Sequence, residues 1–316
     1  MNDKATIIIP YFGKLPGYIG YFLASCRFNP EFRWIILCDA KEYPDCPGNV
    51  HFEHLTLPQF EDLASKKLDF NITITDPYKI CDFKPAFGLI FQDYLQDTAL
   101  WGYGDLDMIF GRINHFVSAE YFDTYDIISF YPGFLSGPFC LFRNTDYVRN
   151  LFKSCKAYKR ILQDPEHFAF DENIYHPEYG GISIMKMIEM LVFAAKKPWL
   201  LLTFREFRYQ YQWHMKRRLA GKYSPIDMTD AVFNAHRHGK VNSVFLNFLL
   251  TDPYFERVKK QNWKIHWHDG KLTYNNPNKE IMAFHFQSNK SRTEFIITPL
   301  PETISNFTIS PEGFSV

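Results

Sequence analysis

Apolar residues in this chain fall into short blocks, and the spacing inside the blocks switches between two kinds. Residues 5–10 form a continuous isoleucine-rich run, which predicts a strand buried on both faces, as in a parallel sheet. A Gly- and Pro-containing loop follows at 11–17. Residues 18–26 then read as a helix, and 33–38 as a second buried strand ending at Asp39. A third short strand is expected at 51–57. Over 57–68, Phe60, Leu63, Ala64 and Leu68 keep helical spacing with charges between them. Asp82 is placed to cap a further helix, with Pro85 in its first turn and the helix running on through Phe91 and Leu95. Strands are expected at 99–104, 127–131 and 139–142, and helices at 151–162 and 182–195. Asp269-Gly270, between alternating residues of 264–274, signals a hairpin. A late strand spans 280–287, and the tail after Phe295 has no helical period. This β-α-β opening predicts an α/β fold.

Polar residues gather where the expected strands end, which is where open α/β sheets bind ligands. Tyr11 and Asp39 stand at two such ends. They suit a nucleotide base or ribose, and equally an ordinary loop aromatic and a helix-capping aspartate. Lys84 is expected at the amino end of its helix, where the dipole favours an anion. It can hold a phosphate there, or simply be a solvated lysine. Asp105 and Asp107 follow the apolar block 99–104, and apolar residues lead out again. In an extended segment, i and i+2 share a face, so both carboxylates emerge together. Two such carboxylates repel each other unless a cation sits between them, and hard oxygen ligands favour Mg²⁺, Mn²⁺ or Ca²⁺. Asp171 and Glu172 follow Phe168 and Phe170. Buried beside aromatics, a carboxyl has a raised pKa and becomes a candidate general base; the alternative is a helix N-cap with an acidic first turn. Gly- and Pro-rich residues 132–138 suit an acceptor pocket or a plain connection. The run 205–222 mixes Arg, Lys, Tyr and Trp, which suits a glycan, an anionic lipid surface or a solvated basic helix.

Composition narrows the classes. The chain has 316 residues, 46% hydrophobic, enough for one large domain or two joined lobes. Lys plus Arg and Asp plus Glu are both 35, so no global charge favours nucleic acid. Six scattered cysteines without a C-x-x-C pair argue against a zinc ribbon or disulfide scaffold and for a reducing compartment. No apolar run reaches the ~20 residues of a membrane span, so a cytoplasmic protein is expected, with peripheral contact at the inner face of the membrane through 205–222.

The β-α-β start, the Lys84 helix, the strand ending in Asp105-x-Asp107 and the late His285-Phe-Gln-Ser-Asn-Lys290 together resemble the GT-A-fold glycosyltransferases. The order is similar to that of bacterial polysaccharide and lipooligosaccharide transferases. The resemblance spans roughly residues 5–292 and is one of motifs. It implies a Rossmann-like nucleotide-diphospho-sugar fold with a mixed central sheet flanked by helices. It further implies a donor half at 1–130 and an acceptor half at 131–316 carrying a C-terminal metal- and phosphate-binding element. By the same resemblance Asp105, Asp107 and His285 hold Mn²⁺ or Mg²⁺, Lys290 holds the phosphates, and Lys84 and Asp105 contact a nucleotide-diphosphate donor, a UDP-sugar being expected. Asp171 or Glu172 then serves as base or acceptor contact, and the acceptor is a glycan or glycolipid. The chain lacks the Gly and Pro-Trp that often accompany the late His-Lys element. A nucleotidyltransferase would normally carry a Gly- and Arg-rich loop after the first strand, whereas this chain has Tyr11-Phe-Gly-Lys-Leu-Pro-Gly17. A non-catalytic glycan-binding protein on such a fold is the competitor from another class.

Overall fold

The computed structural model describes residues 4–172, 224–251, 263–275, 279–287, 290, 293–300 and 304–316. The expected helix at 182–195 and the basic, aromatic run at 205–222 lie outside the described residues. Seven strands form the main sheet: β1 (Ala5–Tyr11), β2 (Phe32–Cys38), β3 (Val50–His54), β4 (Leu100–Gly104), β6 (Ile127–Ser129), β7 (Phe139–Arg143) and β8 (Ser243–Phe245). Their order is β3-β2-β1-β4-β7-β6-β8. The pairs among β3, β2, β1 and β4 are parallel, β7 runs antiparallel to both β4 and β6, and β6 and β8 are parallel. This is a mixed sheet with helices packed on it: the α/β class is what the apolar blocks predict, and the mixture of directions is what the resemblance implies.

The burial of β1 follows its sequence. Ile7 and Ile9 enter one hydrophobic core, while Ile8, facing the opposite way, enters the other. Both faces are covered, so the strand shows no polar alternation. Between β4 and β7 the backbones come close: a Cβ on Gly102 would lie 2.5 Å from the Cys140 carbonyl. The helix Leu57–Leu68 has a reciprocal cap, in which Gln59 N–H donates to the Thr56 hydroxyl and Thr56 N–H donates to Gln59 Oε1 at 2.8 Å. It buries Phe60, Ala64 and Leu68 on one side, the stripe that its spacing predicts.

Two smaller sheets complete the fold. β5 (Met108–Phe110), β9 (Leu249–Thr251) and β12 (Ala283–His285) pair in the order β5-β12-β9. The others are β10 (Ile265–His268), β11 (Lys271–Tyr274), β13 (Ile296–Ile297), β14 (Asn306–Ser310) and β15 (Gly313–Ser315), ordered β11-β10-β14-β15-β13. The β10–β11 hairpin turns through Asp269 and Gly270, both at positive φ. Trp267 Nε1–H donates to the Phe110 carbonyl at 3.0 Å, which fastens the five-stranded sheet to β5.

Two expected helices take another form. Residues 77–86 are a 3₁₀ run, capped by Asp76 rather than Asp82, followed by a single α-turn at Phe87–Ile90 and a 3₁₀ turn at Gln92–Tyr94. Pro85 has no N–H to donate, and the Asp82 side chain is occupied elsewhere. Lys84 is therefore in the last turn of a 3₁₀ run, not at the amino end of an α-helix. The expected helix at 151–162 is likewise split, into a 3₁₀ turn at Leu151–Ser154 and a helix at Tyr158–Gln163, with Cys155 extended between them. Among the described residues, no helix is long and apolar enough to cross a membrane.

Candidate active site

The site lies where β1 and β4 end. Asp105 follows β4, and its N–H donates to the Pro138 carbonyl at 3.0 Å. Asp107 precedes β5. The register of β12 against β5 sets His285 opposite Met108, and Phe286 N–H donates to the Asp107 carbonyl. Backbone pairing thus delivers the late imidazole to the early carboxylate: His285 Nε2 is 3.3 Å from Asp107 Oδ2. Asp105, Asp107 and His285 each offer a ligand atom within 4.8 Å of the others. Bonds of ~2.0–2.2 Å to one ion place donors up to about 4.4 Å apart, so the triad needs only a small contraction to hold a divalent cation. Two carboxylates and an imidazole are a donor set for a divalent cation.

Each acid of the triad already faces a lysine. Lys84 Nζ donates to Asp105 Oδ1 at 2.7 Å and to the Gly137 carbonyl at 2.9 Å, and lies 3.7 Å from Asp171 Oδ2. Lys290 Nζ pairs with Asp107 Oδ2. Burial opposes ionisation of Asp107, but His285 and Lys290 outweigh it and hold the carboxyl below its ordinary range. Burial likewise pushes His285 and Lys84 down, yet Asp107 lifts the imidazole and Asp105 the ammonium above their ordinary values.

Asp171 and Glu172 meet the opposite fate. Burial pushes Asp171 up to about 8; Lys84 pulls the other way, while Glu172 and Asp82 add to the rise. Glu172 is raised too, chiefly by burial. Glu172 Oε1 accepts the Gly137 N–H at 2.9 Å, and a Cβ on residue 137 would lie 2.3 Å from that oxygen. The loop 132–138 therefore docks against Glu172 and Lys84, and a Cβ at residue 137 would have to displace the Glu172 side chain.

Tyr11 and Asp39 also reach this end of the sheet. Gly13 N–H donates to Asp39 Oδ1 at 2.8 Å, so this carboxylate ties the loop after β1 to the end of β2. Tyr11 is half-buried; burial raises its pKa, with Lys290 and Asp107 near enough to act on it. The structure thus brings Lys84, Asp105, Asp107, Asp171, His285 and Lys290 into one connected polar cluster, with Glu172 joined to it through Gly137.

Sequence reasoning passes over three groups here. Tyr18 is buried, edge-on to Phe286 at 4.9 Å, with its pKa raised by burial and then by Asp107. Gly137 is legible only as part of a small-residue loop. The third group lies behind Asp171. Asp82 is wholly buried and accepts from Lys79 Nζ at 2.8 Å, Phe168 N–H at 2.9 Å and Phe170 N–H at 2.9 Å, with His167 Nδ1 at 3.2 Å. Lys79 Nζ also donates to the carbonyls of Ile161 and Glu166. The Lys79–Asp82 spacing of three is visible in sequence, but their loop partners 80 and more residues later are not.

The chain is similar in shape, at low scores, to several solved structures. Galactosyltransferase LgtC in complex with donor and acceptor sugar analogs is 12% identical, over 66% of this chain and 83% of that one, with a TM-score of 0.32. Mouse xyloside xylosyltransferase 1 in its apo form is 8% identical, over 91% and 98%, with a TM-score of 0.39. Apo GlyE, a glycosyltransferase of Streptococcus pneumoniae TIGR4, is 12% identical, over 80% and 69%, with a TM-score of 0.30. Such scores carry no argument about activity. Among curated proteins nothing matches. A family model, described as a family of unknown function (DUF6625), matches residues 7–316, and the chain belongs to that family.

Proposed function

We propose that the chain is a metal-dependent glycosyltransferase of the GT-A type, moving a sugar from a nucleotide-diphosphate donor, a UDP-sugar first among candidates, to a hydroxyl of a glycan or lipid-linked glycan in surface polysaccharide synthesis. The observation that carries this reading is the triad Asp105, Asp107 and His285, drawn within 4.8 Å at the strand ends of a mixed α/β sheet. When bound there, Mn²⁺ or Mg²⁺ offsets charge developing on the departing diphosphate. The remaining work falls to side chains. Lys84 fixes Asp105 and neighbours Asp171. Lys290 supplies a cation for the diphosphate. Tyr11 and Asp39 flank the nucleoside at the ends of β1 and β2. Asp171, with a pKa near 8, is poised to exchange a proton with the acceptor hydroxyl near neutral pH, and Glu172 lies beside it. Residues 1–130 supply most of the donor side and 131–316 the acceptor side. The run 205–222 meets an anionic or lipid-linked acceptor at the inner face of the membrane, and flotation with anionic liposomes, before and after changing Arg217 and Arg218 to Ser, tests that contact.

The central test is hydrolysis of a panel of nucleotide sugars with and without Mn²⁺. The expected result is slow, metal-dependent release of nucleoside diphosphate from one donor. Release from none, with any divalent ion, defeats the reading.

A further inference from the structure

Among the described residues, with His285 neutral as a metal ligand must be, the two acids of the triad and their two lysines make a cluster whose charges cancel. Asp105 and Asp107 bring two negative charges; Lys84 and Lys290 bring two positive ones. A divalent ion entering this cluster unaccompanied leaves it with an excess of two positive charges in a partly buried place, which is unfavourable. Something has to leave, or an anion has to arrive.

The two lysines differ in how they are held. The Lys84 side chain is 7% exposed, with Gly137 O and Asp171 as further partners. It is part of the frame. The Lys290 side chain is 32% exposed and reaches Asp107 from the rim. It meets the same oxygen, Oδ2, that faces His285 Nε2. An ammonium on that atom would compete with a cation held by Asp107 and His285 together.

Building on the proposed metal site, we infer that Lys290 is a tethered surrogate cation: it holds Asp107 until a divalent ion displaces it, and it then has an anion to find. Metal alone binds weakly because it competes with an ammonium that is always present. A diphosphate arriving with the metal draws Lys290 off Asp107 and restores the charge balance. The ligand for which the site is built is therefore a metal–diphosphate complex rather than either part separately. Because linkage is reciprocal, whatever factor diphosphate adds to metal affinity, metal adds to diphosphate affinity. An ordinary phosphate-binding lysine makes no such demand, since its removal weakens diphosphate binding and leaves metal affinity unchanged.

The experiment titrates the whole chain with MnCl₂ alone, and separately with preformed Mn²⁺–pyrophosphate, following heat and the paramagnetic resonance of free Mn²⁺. Lys290→Met should bind Mn²⁺ alone about 10- to 100-fold tighter than wild type, the worth of one charge-assisted hydrogen bond. It should bind the complex no tighter than wild type does. Lys290→Arg, which keeps a cation on Asp107, should stay as weak toward Mn²⁺ as wild type. Equal or weaker Mn²⁺ binding by Lys290→Met, or equal tightening by both variants, overturns the inference. If Lys290→Met does not fold, wild type still decides: pyrophosphate has to raise its Mn²⁺ affinity, and absence of that coupling overturns the inference. Failure of the underlying site looks different. In that case neither wild type nor Asp107→Asn binds Mn²⁺ in either form, and the metal reading and the surrogate role fall together.

Discussion

Two pairs of acids stand on either side of Lys84, and the protein treats them in opposite ways. Asp105 and Asp107 come from a single short stretch after β4, and each has a lysine in direct contact. Asp171 and Glu172 are neighbours in sequence, the first buried and the second partly so, but the cation beside them, Lys84, is spent mainly on Asp105 and lies 3.7 Å from Asp171. Burial costs an acid in each pair, Asp107 and Asp171. Where cations outweigh it, at Asp107, the carboxyl is held ionised; where they do not, at Asp171, it keeps its proton up to about pH 8. The supply of partners, not the residue type, decides whether a buried acid is an anion or keeps its proton.

The sharpest way to break this contrast is to remove the protonated pair. Asp171→Asn and Glu172→Gln keep the volume, and the true base should lose ~10²–10⁴ in turnover with donor affinity little changed. Steady-state donor hydrolysis and transfer measure it; wild-type turnover from both amides ends the assignment. The same carboxyl leaves a mark on stability. A folded-state pKa near 8 against an ordinary value of 3.8 means that the native chain holds a proton the unfolded chain has lost. Wild type should therefore lose stability relative to Asp171→Asn as pH rises from about 4 to 8, and melting curves across that range check the sign.

Next in size is the support beneath Asp171. Asp82→Ala takes the carboxylate from the buried Lys79 ammonium, leaving it two carbonyls, and removes an acceptor from the N–H groups of Phe168 and Phe170. Breaking a buried pair in this way costs about 3–5 kcal/mol, readable by urea unfolding. On the other side of Lys84, Asp107→Asn should lower Mn²⁺ affinity more than ~100-fold, since even an outer partner of a ligand is worth 10–100-fold. Titration with Mn²⁺ decides it. The smallest effect is at the junction. Gly137→Ala puts a Cβ onto Glu172 Oε1 and should cost about 1–3 kcal/mol by overpacking, with Glu172 displaced. Unchanged stability and turnover there would mean that Glu172 moves aside freely.

Strands with continuous apolar runs were legible because burial on both faces leaves no other pattern: β1 and β2 lie where their isoleucines put them. The helix at Leu57–Leu68 was legible from its stripe. The stretch 77–95 was not, because Asp82 and Pro85 carry the same signals in a helix start as in a 3₁₀ run, and a partner from residues 167–170 made the choice. At the site, the i, i+2 spacing predicts Asp105 and Asp107 on one face of an extended segment, whereas Leu106 and Asp107 form a turn between β4 and β5, so strand pleating is not what brings the two acids near His285. That both triad acids carry lysines was hidden. Lys290 lies 183 residues from Asp107, and no local pattern encodes such a meeting. Lys84 was visible as a cation but not as the divider between two pairs.

The pairing of β12 with β5 and β9 also has a meaning in time. A ribosome adds about 5–20 residues per second, so His285 and Lys290 follow Asp107 into the world by roughly 10–40 s. Throughout that interval β5 exists without the strand that belongs beside it, and Asp107 without the two side chains that hold its charge. The growing chain has no finished site to fill. Asp105, Asp107 and His285 come together only after the late strand has threaded between two earlier ones.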